Sequence, residues 1–139
     1  MAPTALAIEV APADLLDRIT VLEIKSERLA NAEQLDNVRA ELAALRAART
    51  RWIAPTPELD RLTTELRKAN ETLWDLEEAV RRCEAANDFS AAFVQSARAI
   101  IHANDRRAAL KRALNRLLGA RFQEEKSYPL PDAALGAKR

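Results

Sequence analysis

Apolar residues recur at intervals of three and four along most of this chain, the spacing that gathers them on one side of an α-helix. The cleanest run predicts a helix over residues 57–86. There Leu59, Leu62, Leu66, Ala69, Leu73, Leu76, Val80 and Cys83 keep a strict alternation of three and four, with Asn70, Trp74 and Glu77 at the border. Thr56 stands at its N-cap position, and Pro55 and Pro57 break the chain before it. A second long helix is predicted from Asp88, as its cap, to about Gly119, a residue suited to ending a helix. Its stripe holds Phe89, Phe93, Ala97, Ile100, Ile101, Ala108, Leu114 and Leu118. Asn104, Lys111 and Asn115 interrupt that stripe, and Arg107 lies at its edge. A polar group buried without a partner costs roughly 1–3 kcal/mol, so this interruption is the anomaly that points toward function.

Two shorter helices precede the long pair. The first is predicted over residues 12–30, with Pro12 in its first turn and Asp14 near its positive end. Leu15, Ile19, Leu22 and Leu29 form its main stripe. Arg18 and Lys25 fall between that stripe and Val21, an unusual place for surface charges. Asn31 suits the turn that follows. The next helix spans residues 33–52, where Leu35, Val38, Leu42, Leu45 and Trp52 repeat in heptads. Trp52 and Trp74 are read as core anchors. Residues 4–10 alternate loosely and predict an extended segment lying on the helices, since one short run cannot make a sheet.

Four amphipathic helices with short connections predict an all-α fold: an antiparallel four-helix bundle with a long C-terminal helical hairpin. The bundle domain is placed at residues 1–128 and a flexible tail at 129–139. Each long helix would measure roughly 45 Å and each short one roughly 28 Å. The short pair therefore leaves a tip of Leu76, Val80, Cys83, Phe89, Phe93 and Val94 uncovered. An apolar tip implies a homodimer that buries Phe89, Phe93 or Val94.

Composition narrows the classes. A net charge of +1 leaves no broad basic face, so nucleic-acid binding is not expected. Cys83 is alone, which removes a disulfide framework and a cysteine-based zinc site. His102 falls opposite the apolar stripe, as a surface residue. No stretch approaches the roughly 20 apolar residues that span a membrane. The N-terminus carries Glu9 and Asp14 and lacks a basic start, so a cytoplasmic protein is expected. No phosphate-binding loop, nucleophile elbow, zinc motif or dinucleotide fingerprint occurs, and no cofactor is expected.

Counting from a tip at Asn87 sets Asn104 level with Asn70, and sets Arg107 and Lys111 level with Arg67 and Thr63. The same count puts Lys25 near the first layer and Arg18 near the second. Arg18, Lys25, Asn70, Asn104, Arg107 and Lys111 are therefore the candidate ligand-binding residues, because buried cations without enough acids need an anion. The competing reading is internal pairing with Asp14, Glu41, Glu77 and the Glu124-Glu125 pair. Asn70, Asn104 and Asn115 can also fix helix register as polar pairs.

The strings Asp17-Arg18-Ile19-Thr20-Val21-Leu22-Glu23-Ile24-Lys25, Leu73-Trp74, Asn104-Asp105-Arg106-Arg107-Ala108 with Lys111, and Glu124-Glu125-Lys126-Ser127-Tyr128 resemble a family of small, uncharacterised bacterial helical proteins over about residues 8–128. That family is similar to proteins often encoded beside glycosyltransferases of cell-surface polysaccharide synthesis. It brings no catalytic residues to carry over. The resemblance implies an accessory or binding protein for glycan or lipopolysaccharide assembly, acting through a small anionic ligand or a glycosyltransferase partner. Two alternatives remain. One is a small enzyme of the helical chorismate-mutase kind, holding a dianion among bundle cations, although the spacing of the four cations does not match that family. The other is a purely structural oligomerisation module.

Overall fold

The computed structural model describes residues 4–131. The chain forms four helices: α1, Pro12–Arg28; α2, Ala32–Trp52; α3, Pro57–Ala85; and α4, Ala91–Leu117. The all-α architecture read from the periodicity is what the chain adopts. Among the described residues no helix is long and apolar enough to cross a membrane. Most of the tail predicted at 129–139 lies outside the described residues.

Local signals set most helix ends. Thr56 Oγ1 accepts from the Leu59 N–H at 3.1 Å and caps α3. Gly119 adopts φ +64° just beyond α4, a conformation that favours glycine. Asn31 lies in the turn after α1, as read, and also caps α2, its Oδ1 accepting from Gln34 N–H at 3.0 Å. One end differs from expectation. Asp88 does not cap α4, because its carboxylate accepts from Ser90 N–H within the preceding turn. Ser90 takes the cap position.

α1 is the element the others pack around. Leu15, Ile19 and Leu22 pack with Val38, Leu42 and Leu45 of α2. On its other side, Ala13 and Leu16 join Leu59, Leu62, Leu66 and Ala69 of α3 and Leu110 and Leu114 of α4, with Ile53 closing the cluster. Ala13, Leu16, Thr20 and Ile24, spaced by three and four, are all essentially inaccessible. α2 packs its backbone against α1 alone among the helices, and reaches α3 through the Arg49–Asp60 ion pair at 3.6 Å. α3 and α4 follow one another through a short turn and pack side by side, with Glu65 and Arg106 3.7 Å apart.

Burial then stops abruptly. Beyond Leu73 on α3 and before Ala108 on α4, no residue is buried. Ile101, counted in the predicted stripe, is 61% exposed, whereas Leu110, outside that stripe, is 1% exposed. The C-terminal half of α4 is covered from two sides by α1 and α3, which widens its buried arc. The N-terminal half has only α3. Trp52 is likewise no core anchor: it is 73% exposed, with the Arg51 guanidinium 5.0 Å from its ring centre. Trp74 is half-buried and donates to Glu78 at 3.0 Å.

Candidate functional site

One charged side chain is buried among the described residues, and it is Asp17. It sits on the α1 face that packs on the long hairpin. Two other helices reach it. Arg107 of α4 forks onto it, Nε donating to Oδ1 at 3.1 Å and Nη2 to Oδ2. Asn70 of α3 donates to Oδ1 at 2.8 Å and to Thr20 Oγ1 at 2.9 Å. Thr20 returns its hydroxyl proton to the Asp17 carbonyl at 2.7 Å. Lys111 Nζ lies 3.6 Å from Asp17 and 2.9 Å from Asp14. No buried side-chain nitrogen or oxygen among the described residues lacks a hydrogen bond. Burial by itself pushes the Asp17 carboxyl up, but the hydrogen bonds from Arg107 and Asn70 and the charges of Arg107 and Lys111 outweigh it. The net result is a carboxyl below its usual range. The Asp17 hydrogen bond in turn raises Arg107, against the opposing effect of burial.

A depressed carboxyl stabilises the fold above its unfolded value and loses that contribution as pH falls through its folded value. Asp17→Asn is therefore expected to be less stable than wild type at pH 7. The gap should narrow as pH falls below about 4. Urea unfolding of both proteins at several pH values checks this, and a gap independent of pH would contradict it.

The polar stripe thus splits into parts. Asn70, Arg107 and Lys111 converge as expected. Asn104 does not join them inside; it is exposed on the flank of α4. Arg18 stands about 100° from Asp17 around α1, which aims it at α2, where it pairs with Glu41. Lys25 lies two turns beyond Asp17 and makes no ion pair within 4 Å among the described residues. The four cations consequently do not share one pocket. Asn70 lies level with Arg107 rather than Asn104, a shift of three residues that the count from the tip missed.

Two connections were not anticipated. Asn115 of α4 accepts from Ala13 N–H at 2.9 Å and so caps α1, whose own cap position is held by Ala11, without a side-chain acceptor. Arg67 of α3 meets Glu27 at 2.6 Å, Glu71 at 3.0 Å and Glu23 at 3.5 Å. The clue to Asp17 was its spacing of four after Ala13 and three before Thr20, on the second face of α1.

The chain after Gly119 folds back along α4. Asn115 donates to Gln123 at 3.2 Å, and Arg112 meets Glu125 at 3.3 Å. Glu124 pairs with Lys126 at 2.6 Å and approaches Lys111 to 4.0 Å. Lys126 holds Glu124 below its usual range, and Glu124 raises Lys126. A groove remains between this segment and α4. One part, about 360 Å³, is lined by Asp14, Lys111, Arg112 and Asn115 from the helices and by Phe122, Glu124 and Lys126 from the segment. The adjoining part, about 320 Å³, is lined by Asn104, Arg107, Ala108, Lys111, Glu124, Lys126 and Tyr128. Its three cations are each paired, Arg107 with Asp17, Lys111 with Asp14, and Lys126 with Glu124. Among the described residues, no group of three or more His, Cys, Asp or Glu side chains is placed to hold a metal ion.

Neither the curated proteins nor the solved structures contain a match to this chain. A family model does match, over residues 6–136, so the chain belongs to a family of unknown function, DUF6165.

Proposed function

We propose that this is a non-enzymatic binding or accessory protein of the cytoplasm, and that it takes a small anionic ligand in the groove between α4 and residues 122–130. The observation that carries this reading is the outer groove. Arg107, Lys111 and Lys126 line it with Glu124, Asn104 and Tyr128, while Asp17 and Asp14 hold Arg107 and Lys111 from the helix side. Asp17 holds Arg107, a lining residue of the groove, through its Nε and Nη2. The donors are thereby oriented before a ligand arrives, and orientation in advance lowers the entropy cost of binding. The volume is at the lower end of small-ligand sites.

The resemblance to proteins encoded beside glycosyltransferases makes phosphorylated sugars and nucleotide sugars the anions to try, in support of glycan or lipopolysaccharide assembly. The dispersal of Arg18 and Lys25 weighs against a mutase-like enzyme that needs all four cations around one dianion. Thermal unfolding with inorganic phosphate, glucose 1-phosphate and UDP-glucose tests the proposal. At least one should raise the melting temperature, by an amount equivalent to about 2.7 kcal/mol at a hundred times its Kd. The effect should weaken with added salt. It should vanish in Lys126→Met, whose side chain has no part in holding Asp17. No response at millimolar concentration to any of the three, or an unchanged response in Lys126→Met, would reject this site.

A second reading concerns assembly: the protein works as a homo-oligomer. What supports it is the stretch from Trp74 to Arg107, which contains apolar side chains but no buried residue. Phe89 is 57% and Val94 50% exposed.

A further inference from the structure

We propose that the uncovered end of the α3–α4 hairpin is a docking face for a second copy of this chain, laid antiparallel across it about a twofold axis near Ala79. This rests on the assembly reading above and specifies its partner and register. α1 occupies a seat between α3 and α4 and ends where Arg28 pairs with Asp75. The seat does not end there. It continues as a groove of about 330 Å³ lined by Glu77, Val80, Arg81, Glu84 and Phe93. Asn70, Glu77 and Glu84 follow one another at seven-residue intervals on α3. Asn70 already bonds α1 through Asp17 and Thr20, so the same face of α3 runs on past the end of α1.

Two of the three charges lining this groove, Glu77 and Arg81, select its occupant; the third, Glu84, falls opposite the other copy's Trp74 in the arrangement proposed. Glu77 and Arg81 stand one turn apart on the face, both exposed, and neither makes an ion pair within 4 Å among the described residues. An antiparallel copy centred midway between them, at Ala79, brings Glu77 opposite the other copy's Arg81 and Arg81 opposite its Glu77. Val80 then meets its counterpart between the two ion pairs. A parallel copy would set Glu77 against Glu77, and a partner of a single charge sign would meet a like charge at one end. The face is therefore complementary to itself, as an isologous interface requires.

The described apolar segment at the N-terminus does not cover this face. Leu6, Ile8 and Val10 lie within about 17 Å of Ala11 even fully extended. Phe93 lies about 33 Å along α4 from Asn115, the residue that holds the start of α1. Glu9 moreover pairs with Arg121, at the opposite end of the molecule. Two helices, each about 10 Å wide and exposed over about 20 Å, give a footprint of roughly 400 Å² per copy. The total, roughly 800 Å², is below that of specific stable interfaces, so a weak, reversible dimer is expected rather than a permanent one.

Sedimentation of the full chain from about 1 to 200 μM tests this. Wild type should shift from monomer to dimer within that range. Glu77→Arg alone and Arg81→Glu alone should each weaken self-association at least tenfold, because each places like charges in both pairs. An equimolar mixture of the two variants should recover it. One copy then presents arginine at both positions and the other presents glutamate at both, so each of the two pairs is again of opposite charge. At protein concentrations where the chain is monomeric, helical content and melting temperature should be unchanged, because both side chains are exposed. A wild type that stays monomeric at 200 μM overturns both the assembly reading and this interface. A dimer that ignores the single reversals, or a mixture that fails to recover, leaves the assembly reading standing and overturns this register.

Discussion

Arg107→Met is expected to lower the unfolding free energy by about 3 kcal/mol at neutral pH. The loss comes from what remains behind. Asp17 is 5% exposed and depends on the Arg107 fork, on Asn70 and on a longer contact with Lys111. Without the guanidinium its charge is stranded in a site with one amide donor and one distant ammonium. Removing one member of a buried pair costs roughly 3–5 kcal/mol, and the lower end applies because about a third of the Arg107 side chain reaches solvent. Asp17→Asn introduced together with Arg107→Met should recover part of the loss, since the stranded charge goes with the carboxylate. Lys111→Met should cost less than Arg107→Met, because its nearer partner Asp14 is half-exposed and can turn to water. Urea denaturation of the two single variants and the double variant gives the coupling between positions 17 and 107. A coupling within about 0.5 kcal/mol of zero would mean that the pair does not hold the helices together.

Leu110→Ala is expected to cost about 3 kcal/mol, and Ile101→Ala less than about 0.5 kcal/mol. Leu110 is 1% exposed within the cluster formed by Leu16, Leu59, Leu66 and Leu114, and its truncation leaves a cavity that close-packed neighbours fill only in part. Ile101 is 61% exposed on the uncovered part of α4. Both residues are large aliphatics on one helix, so the contrast isolates burial from residue type. Equal losses would mean that the N-terminal half of α4 is as well covered as its C-terminal half. The measurement belongs at low protein concentration, where self-association through the hairpin end adds little.

Much of the fold was legible in the order of residues. The three-four alternation from Leu59 to Leu73 is a property of the chain alone, and those residues became the α3 wall of the core. The N-cap at Thr56 and the stop at Gly119 also follow from local chemistry, a side-chain oxygen reaching its own backbone and a residue without Cβ at positive φ. The polar break on α4 was legible as well, and Lys111 and Arg107 do mark the one place where buried charge is held among the described residues.

What the chain could not declare by itself was which neighbour each face would meet. Periodicity says that Leu15, Ile19 and Leu22 share a side of α1. It does not say that the other side would be buried too, and that second burial is what turns Asp17 from a surface acid into the centre of the network. Arg18 and Lys25 looked like companions of Arg107 because they fall between the Leu15 stripe and Val21 at a similar height along the bundle, but the pattern does not say which helix that side of α1 meets. A 100° step between consecutive residues sends Asp17 to the hairpin and Arg18 to Glu41 of α2. Local sequence determined where the helices start, stop and turn oily. Only the packing of three helices around α1 decided which charges are buried together, because burial belongs to the surfaces that meet and not to the residues that carry them.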